Sequence, residues 1–145
     1  GVTPGVCRKL CCGGDWSACP SGESCYQRVL LVRPGGGDPM YANADVCAPV
    51  GDCDPLEPTS CTKAGRTCQI VDPTGNVACL PEGSQGQGEA CSPELPCKGG
   101  FACVADECRR LCKAVEGGQP ACPKSEGVCV HYNRDPKDVG ECTPL

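Results

Sequence analysis

Cys108-Arg109-Arg110-Leu111-Cys112 repeats an earlier stretch, Cys7-Arg8-Lys9-Leu10-Cys11, with Arg110 standing where the first copy has Lys9. The agreement continues downstream. Ala18-Cys19-Pro20, Cys25 and Val46-Cys47-Ala48-Pro49 follow the first copy. Ala121-Cys122-Pro123, Cys129 and Glu141-Cys142-Thr143-Pro144 follow the second. Cysteines that recur in register mark an array of small modules rather than one large core.

Outward from these two copies, four units of four cysteines cover the chain, over residues 1–50, 51–82, 83–108 and 109–145. The middle of each unit is a cysteine, a Gly-containing tight turn and a second cysteine: CPSGESC at 19–25, CTKAGRTC at 61–68, CKGGFAC at 97–103 and CPKSEGVC at 122–129. Glycine supplies the positive φ that such turns need. After the third cysteine each unit reads as a β-hairpin. In unit two, 69–71 and 76–78 flank the turn signal Asp72-Pro73-Thr74-Gly75. In unit four, 130–132 and 138–140 flank a loop at 133–137. Unit one has the longest strand candidate, 26–32, with a return strand at 40–46 beyond a Gly- and Pro-rich excursion. Unit three shrinks the hairpin to 104–107. The segment 81–88 is the clearest composition break. It predicts a flexible boundary that divides the chain into two pairs of units.

The 18 cysteines in 145 residues exceed the level that signals a disulfide scaffold, and their even number fits complete pairing. One Phe, one Met and one Trp leave little bulk for an apolar core. Cross-links must replace that burial, each stabilising the fold by roughly 2–4 kcal/mol. The expected fold class is therefore small and disulfide-rich, mostly irregular with short β-hairpins and little or no helix. Such pairing requires an oxidising compartment: secreted, extracellular or cell-surface, or a periplasm. A start at Gly1, without Met or an apolar h-region, is the expectation for a chain whose secretion signal has been removed. The net charge of −5 argues against nucleic acid, and no apolar run approaches the ~20 residues of a membrane span.

Interlaced pairing, first cysteine to third and second to fourth, ties the N-terminal loop of each unit to both ends of its hairpin. Sequential pairing would leave two separate loops. The preference gives Cys11–Cys25 (or Cys12 in place of Cys11), Cys19–Cys47, Cys53–Cys68, Cys61–Cys79, Cys91–Cys103, Cys97–Cys108, Cys112–Cys129 and Cys122–Cys142. Cys7 and one member of the Cys11/Cys12 pair are left over. By alignment Cys7 matches Cys108, the closing cysteine of a unit. It either bonds locally as Cys7–Cys12 or crosses to a second molecule.

Signals for chemistry are weak. No Cys-x2-Cys pair is present, so zinc and redox motifs are missing, and no metal or other cofactor is expected. His131 is the only histidine; a Ser/His/Asp or Cys/His constellation would have to use it, and as a strand residue it reads as structural. Asp52, Asp54 and Glu57 form the closest acidic cluster, better read as solvated loop acids than as a calcium site. Gly35-Gly36-Gly37 follows no phosphate-loop pattern. Trp16, Tyr26 and the outward face of Leu31 on the long strand are candidate interface positions.

The segment 88–108, with Cys-x5-Cys-x2-Gly-x2-Cys-x4-Cys, resembles the short modules of secreted proteins, in particular EGF-like and Dickkopf N-terminal cysteine-rich repeats. EGF-like modules carry six cysteines, whereas these units carry four. The resemblance implies an extracellular binding or spacer role. Two functions follow as expectations. The first is a non-enzymatic structural protein whose partner is protein, copies of itself included. The second is a soluble binding module such as a ligand, adhesin or protease inhibitor, with Arg33-Pro34 or Lys63-Ala64 as the recognition point.

Overall fold

A computed structural model describes residues 8–11, 18–32, 40–72, 74–92, 94–133 and 135–145, with backbone alone for 27–32 and 40–43. Among these residues the strands are β1 Glu23–Val32, β2 Met40–Pro49, β3 Arg66–Ile70, β4 Val77–Pro81, β5 Phe101–Val104, β6 Glu107–Lys113, β7 Val128–Val130 and β8 Val139–Thr143. Helical structure there is confined to 3-10 turns such as Pro58–Ser60 and Lys124–Glu126. The chain is thus a small, disulfide-rich fold of short antiparallel hairpins.

One construction recurs in all four units. The third and fourth cysteines face each other directly across a hairpin: Cys25 opposite Cys47, Cys68 opposite Cys79, Cys103 opposite Cys108, Cys129 opposite Cys142. Two half-cystines therefore stand side by side on one hairpin face, and the loop before the hairpin supplies a partner for each. The first cysteine bonds the third and the second bonds the fourth in every unit, with Cα–Cα separations between 5.4 and 6.0 Å. The two cystines of a unit pack together, three of their sulfurs lying within 4.8 Å of one another.

These sulfurs are much of the core. One buried cluster joins Cys91, Cys97 and Cys108 to Phe101; another is Cys11, Cys25 and Cys47 with Cys19 against them. A third joins Cys61 and Cys68 to Val77. A chain poor in bulky side chains thus uses cystine as its main core residue.

Glycine sets the turn that leads into each hairpin. Gly22, Gly65, Gly100 and Gly127 all have positive φ, between +74° and +96°. Glu23 N–H donates to Pro20 O (3.0 Å) and Phe101 N–H to Lys98 O (3.3 Å), which closes four-residue turns with glycine third, as a type II turn requires. The hairpin of unit three closes through Ala105 (φ 49°) and Asp106 (φ 63°), a two-residue loop of the primed type without its usual glycine.

Two expectations need correction. The hairpin of unit four is shorter at its loop end than its apolar pattern suggests. β7 stops at Val130 because Tyr132 N–H donates to Asp135 Oδ2 (2.8 Å) and Asp135 N–H to Tyr132 O (2.9 Å). A turn consumes the groups a ladder would need. The segment 81–88 does not divide two pairs of units. The chain groups instead into two compact bodies, Gly1–Pro49 and Val50–Leu145, the second holding units two to four. Within it, Gly83 N–H donates to Cys97 O (3.1 Å), Lys98 N–H to Gln85 O (2.9 Å) and Gly88 N–H to Cys108 O (2.8 Å). Gly83 is a close-approach residue, since a Cβ there would strike the Pro96 carbonyl. Glycine that reads as flexible by composition serves here to let backbones meet.

Candidate functional site

Strand β6 is where two units are fused. It carries Cys108, which closes unit three, and Cys112, which opens unit four. Its N-terminal half pairs with β5 and its C-terminal half with β8, giving the sheet order β5-β6-β8-β7. Alternation along the strands separates the two faces. Cys103, Cys108, Cys112, Cys129 and Cys142 fall on one face, with Phe101 and Arg110. Ala102, Val104, Leu111 and Val139 fall on the other.

On the cystine face, the Arg110 guanidinium lies over the Phe101 ring, 4.8 Å from its centroid. The same group grips Glu126 with two hydrogen bonds, Nε to Oε2 at 2.6 Å and a terminal N–H to Oε1 at 3.0 Å. The hydrogen bond to Glu126 pushes the Arg110 pKa further up, so the group is cationic at any relevant pH. On the other face, Leu111 is 1% exposed and packs with Ala102 and Val139; Leu56, Ile70 and Val104 close around it. Leu111 is the point at which units two, three and four share one apolar core.

The first copy of the motif has the same register. Leu10 bridges Val46, the residue before Cys47, as Leu111 pairs with Glu141, the residue before Cys142. Cys11 N–H donates to Asp45 O (3.0 Å) and Cys47 N–H to Lys9 O (2.8 Å). The surroundings differ. Leu10 is 64% exposed. Arg8 meets Glu23 at 3.5 Å and Lys9 Nζ donates to Ala18 O at 2.7 Å.

Of the interface candidates, Tyr26 alone has its side chain among the described residues. Tyr26 is buried, and its hydroxyl donates to Pro49 O (3.0 Å). It is an interior residue of the first body and offers no surface, which corrects its reading as an interface position: a strand residue beside Cys25 falls where the hairpin meets its own closing end. Leu31 lies in β1 opposite Tyr41, with only its backbone described. Trp16, Cys7, Cys12, Arg33-Pro34 and Gly35-Gly36-Gly37 lie outside the described residues.

The remaining polar candidates are taken up locally. Asp54 Oδ1 accepts Leu56 N–H (2.9 Å) and Glu57 Oε1 accepts the Thr59 hydroxyl (3.2 Å), so these acids organise the turn before Pro58–Ser60. His131 is exposed, and its Nδ1 contacts Val139 O. A functional acid in the structural sense is Asp72, which the pattern marks only as a turn residue. It is buried and accepts Thr74 N–H (2.8 Å), the Thr74 hydroxyl (2.6 Å) and Asn76 Nδ2 (2.7 Å). Sequence reading also passes over Leu111 and the Arg110–Phe101–Glu126 group. The signal available for Leu111 was its recurrence inside the repeated Cys-Arg-x-Leu-Cys.

Taken together, the chain is a disulfide-rich repeat protein whose four units share one staple design. Comparison with protein-family models, curated proteins and solved structures finds no match. Its heavy disulfide bonding favours an oxidising environment of the kind found outside the cell, and among the described residues no helix is long and apolar enough to cross a membrane.

Proposed function

We propose that this chain is a non-enzymatic extracellular structural protein, a disulfide-stapled repeat scaffold that self-associates or joins a surface assembly. The observation that carries this reading is the distribution of order. Each unit invests its buried volume in two packed cystines, and among the described residues the acids Asp54, Glu57 and Asp72 are engaged in turns. Such a framework resists unfolding without a large core. It suits a load-bearing or spacing role, and protein is its partner. Secretion follows from the same disulfides as part of the proposal. Light scattering over a range of concentration tests it. A mass that rises above the 14.9 kDa of one chain is expected; a single monomeric species at every concentration, with no partner on a surface assembly, overturns it.

The alternative, a protease inhibitor, has one described recognition loop. Lys63-Ala64 is exposed between Cys61 and Cys68. A protease reads its ligand as an extended strand. Lys63-Ala64 lies on a bend that runs straight into the Gly65 turn (φ +74°), which favours the scaffold reading. Unchanged trypsin activity in the presence of excess protein is the expected result.

A further inference from the structure

The two copies of Cys-Arg-x-Leu-Cys occupy the same place in their units, yet one joint is filled and the other is open. At the filled joint, Leu111 N–H donates to Gly100 O at 2.8 Å, β5 pairs along the preceding residues, and the leucine side chain is 1% exposed. At the open joint, the Leu10 N–H has no acceptor among the described residues and its side chain is 64% exposed. Among the described residues, therefore, no strand covers in segment 8–11 the edge that β5 covers in β6. A strand edge with a bare leucine is a template for strand addition.

The same sheet that fills one joint offers the complementary part. β7 is the terminal strand of the order β5-β6-β8-β7. Val128 opposes Thr143 and Val130 opposes Glu141, so both valines fall on the face that carries Leu111. Val128 is 44% exposed. β5, the other terminal strand, has Ala102 buried and Val104 packed against the shared core, so β7 is the edge with an uncovered apolar side chain.

We propose that segment 8–11 of one copy of this chain pairs, as an added antiparallel strand, with the outer edge of β7 in a second copy, placing Leu10 against Val128. This rests on the self-association reading above and names its contact. The two surfaces are different patches, so the contact is head-to-tail and repeats along an open chain of copies unless its rotation closes a ring.

The test uses the full chain with its disulfides mapped, and two variants at exposed positions, Leu10→Glu and Val128→Glu. Sedimentation or light scattering of the wild type gives a mass that grows with concentration. Each variant alone weakens that growth about tenfold or more, because a carboxylate replaces an apolar group that the contact buries. An equimolar mixture of the two variants stops at a dimer, since the Leu10→Glu copy keeps an intact β7 and the Val128→Glu copy keeps an intact Leu10. Should a variant lose its disulfide pattern, hydrogen exchange of the wild type replaces it: the Leu10 amide must slow as concentration rises. A wild type that assembles while both variants assemble equally well, a mixture that stays monomeric, or a Leu10 amide indifferent to concentration overturns this contact and leaves self-association standing. A wild type that never assembles overturns both.

Discussion

Leu10 and Leu111 permit a controlled comparison, because one substitution can be made at equivalent places in two copies of one motif. Leu111→Ala removes three carbons, each worth about 0.8 kcal/mol when buried, so transfer alone costs about 2.4 kcal/mol. A cavity cost is added. The walls are Ala102, Val104, Val139, Leu56 and Ile70, and Cys103, Cys108 and Cys112, bonded neighbours on the same strands, hold that sheet against collapse. We expect about 3–4 kcal/mol in total, in the middle of the range for buried leucines. Leu10→Ala in dilute monomer removes a side chain that is already 64% exposed and should cost about 0.5 kcal/mol or less. The two compact bodies make one unfolding midpoint a poor measure. Amide hydrogen exchange with disulfides intact reads each body separately. About 3 kcal/mol is a loss of roughly 100-fold in protection of β5, β6 and β8, against almost none anywhere for Leu10→Ala. Equal effects from the two substitutions, or a cost below about 1 kcal/mol at Leu111, would refute the claim that this leucine knits units two to four into one core.

Three further outcomes follow from the geometry. Gly22→Ala costs about 1 kcal/mol, the price of a positive φ in open space, while Gly127→Ala costs more because its Cβ meets the Thr143 carbonyl; the loss of amide protection in each variant's own body ranks them. Glu126→Gln removes the charge from the Arg110 pair, whose side chains are 37% and 15% exposed, and should destabilise by about 1 kcal/mol or less, with the difference shrinking in high salt. Replacing Cys122 and Cys142 together by Ala opens a loop of sequence separation 20 and should cost about 3 kcal/mol. Exchange should rise first in β7 and β8 and spare the body Gly1–Pro49.

Much of this fold is legible because cysteine spacing is a distance constraint. A hairpin that begins at the third cysteine and ends at the fourth must set those two opposite each other, and an N-terminal loop with two cysteines can then close on both. The positive-φ turns are legible for the same local reason, since Gly22, Gly65, Gly100 and Gly127 mark them. What composition misreads is glycine in the segment 81–88. Nothing in Gly83 itself distinguishes a flexible residue from one pressed against Pro96. The end of β7 is also obscure, because the apolar pattern of Val130-His131-Tyr132 competes with the Asp135 carboxylate, which lies beyond the strand and claims the Tyr132 amide.

The repeat carries more information than any single unit, and it does so through its mismatches. Lys9 and Arg110 are aligned, but among the described residues Arg110 lies over an aromatic ring and forks onto a carboxylate, whereas Lys9 Nζ donates to Ala18 O. That difference accompanies the presence of β5 on one side of β6. Leu10 and Leu111 are identical residues in identical register, so the gap between 64% and 1% exposure cannot come from sequence within the motif. It comes from what lies beside the strand. A cystine pair suffices to hold each hairpin to its own loop, but it leaves the strand edges unsatisfied. Burial of the repeated leucine then depends on a neighbouring strand, supplied within the chain at the β6 joint. In this architecture cystines make the units, and the leucine edge is what joins one unit to the next.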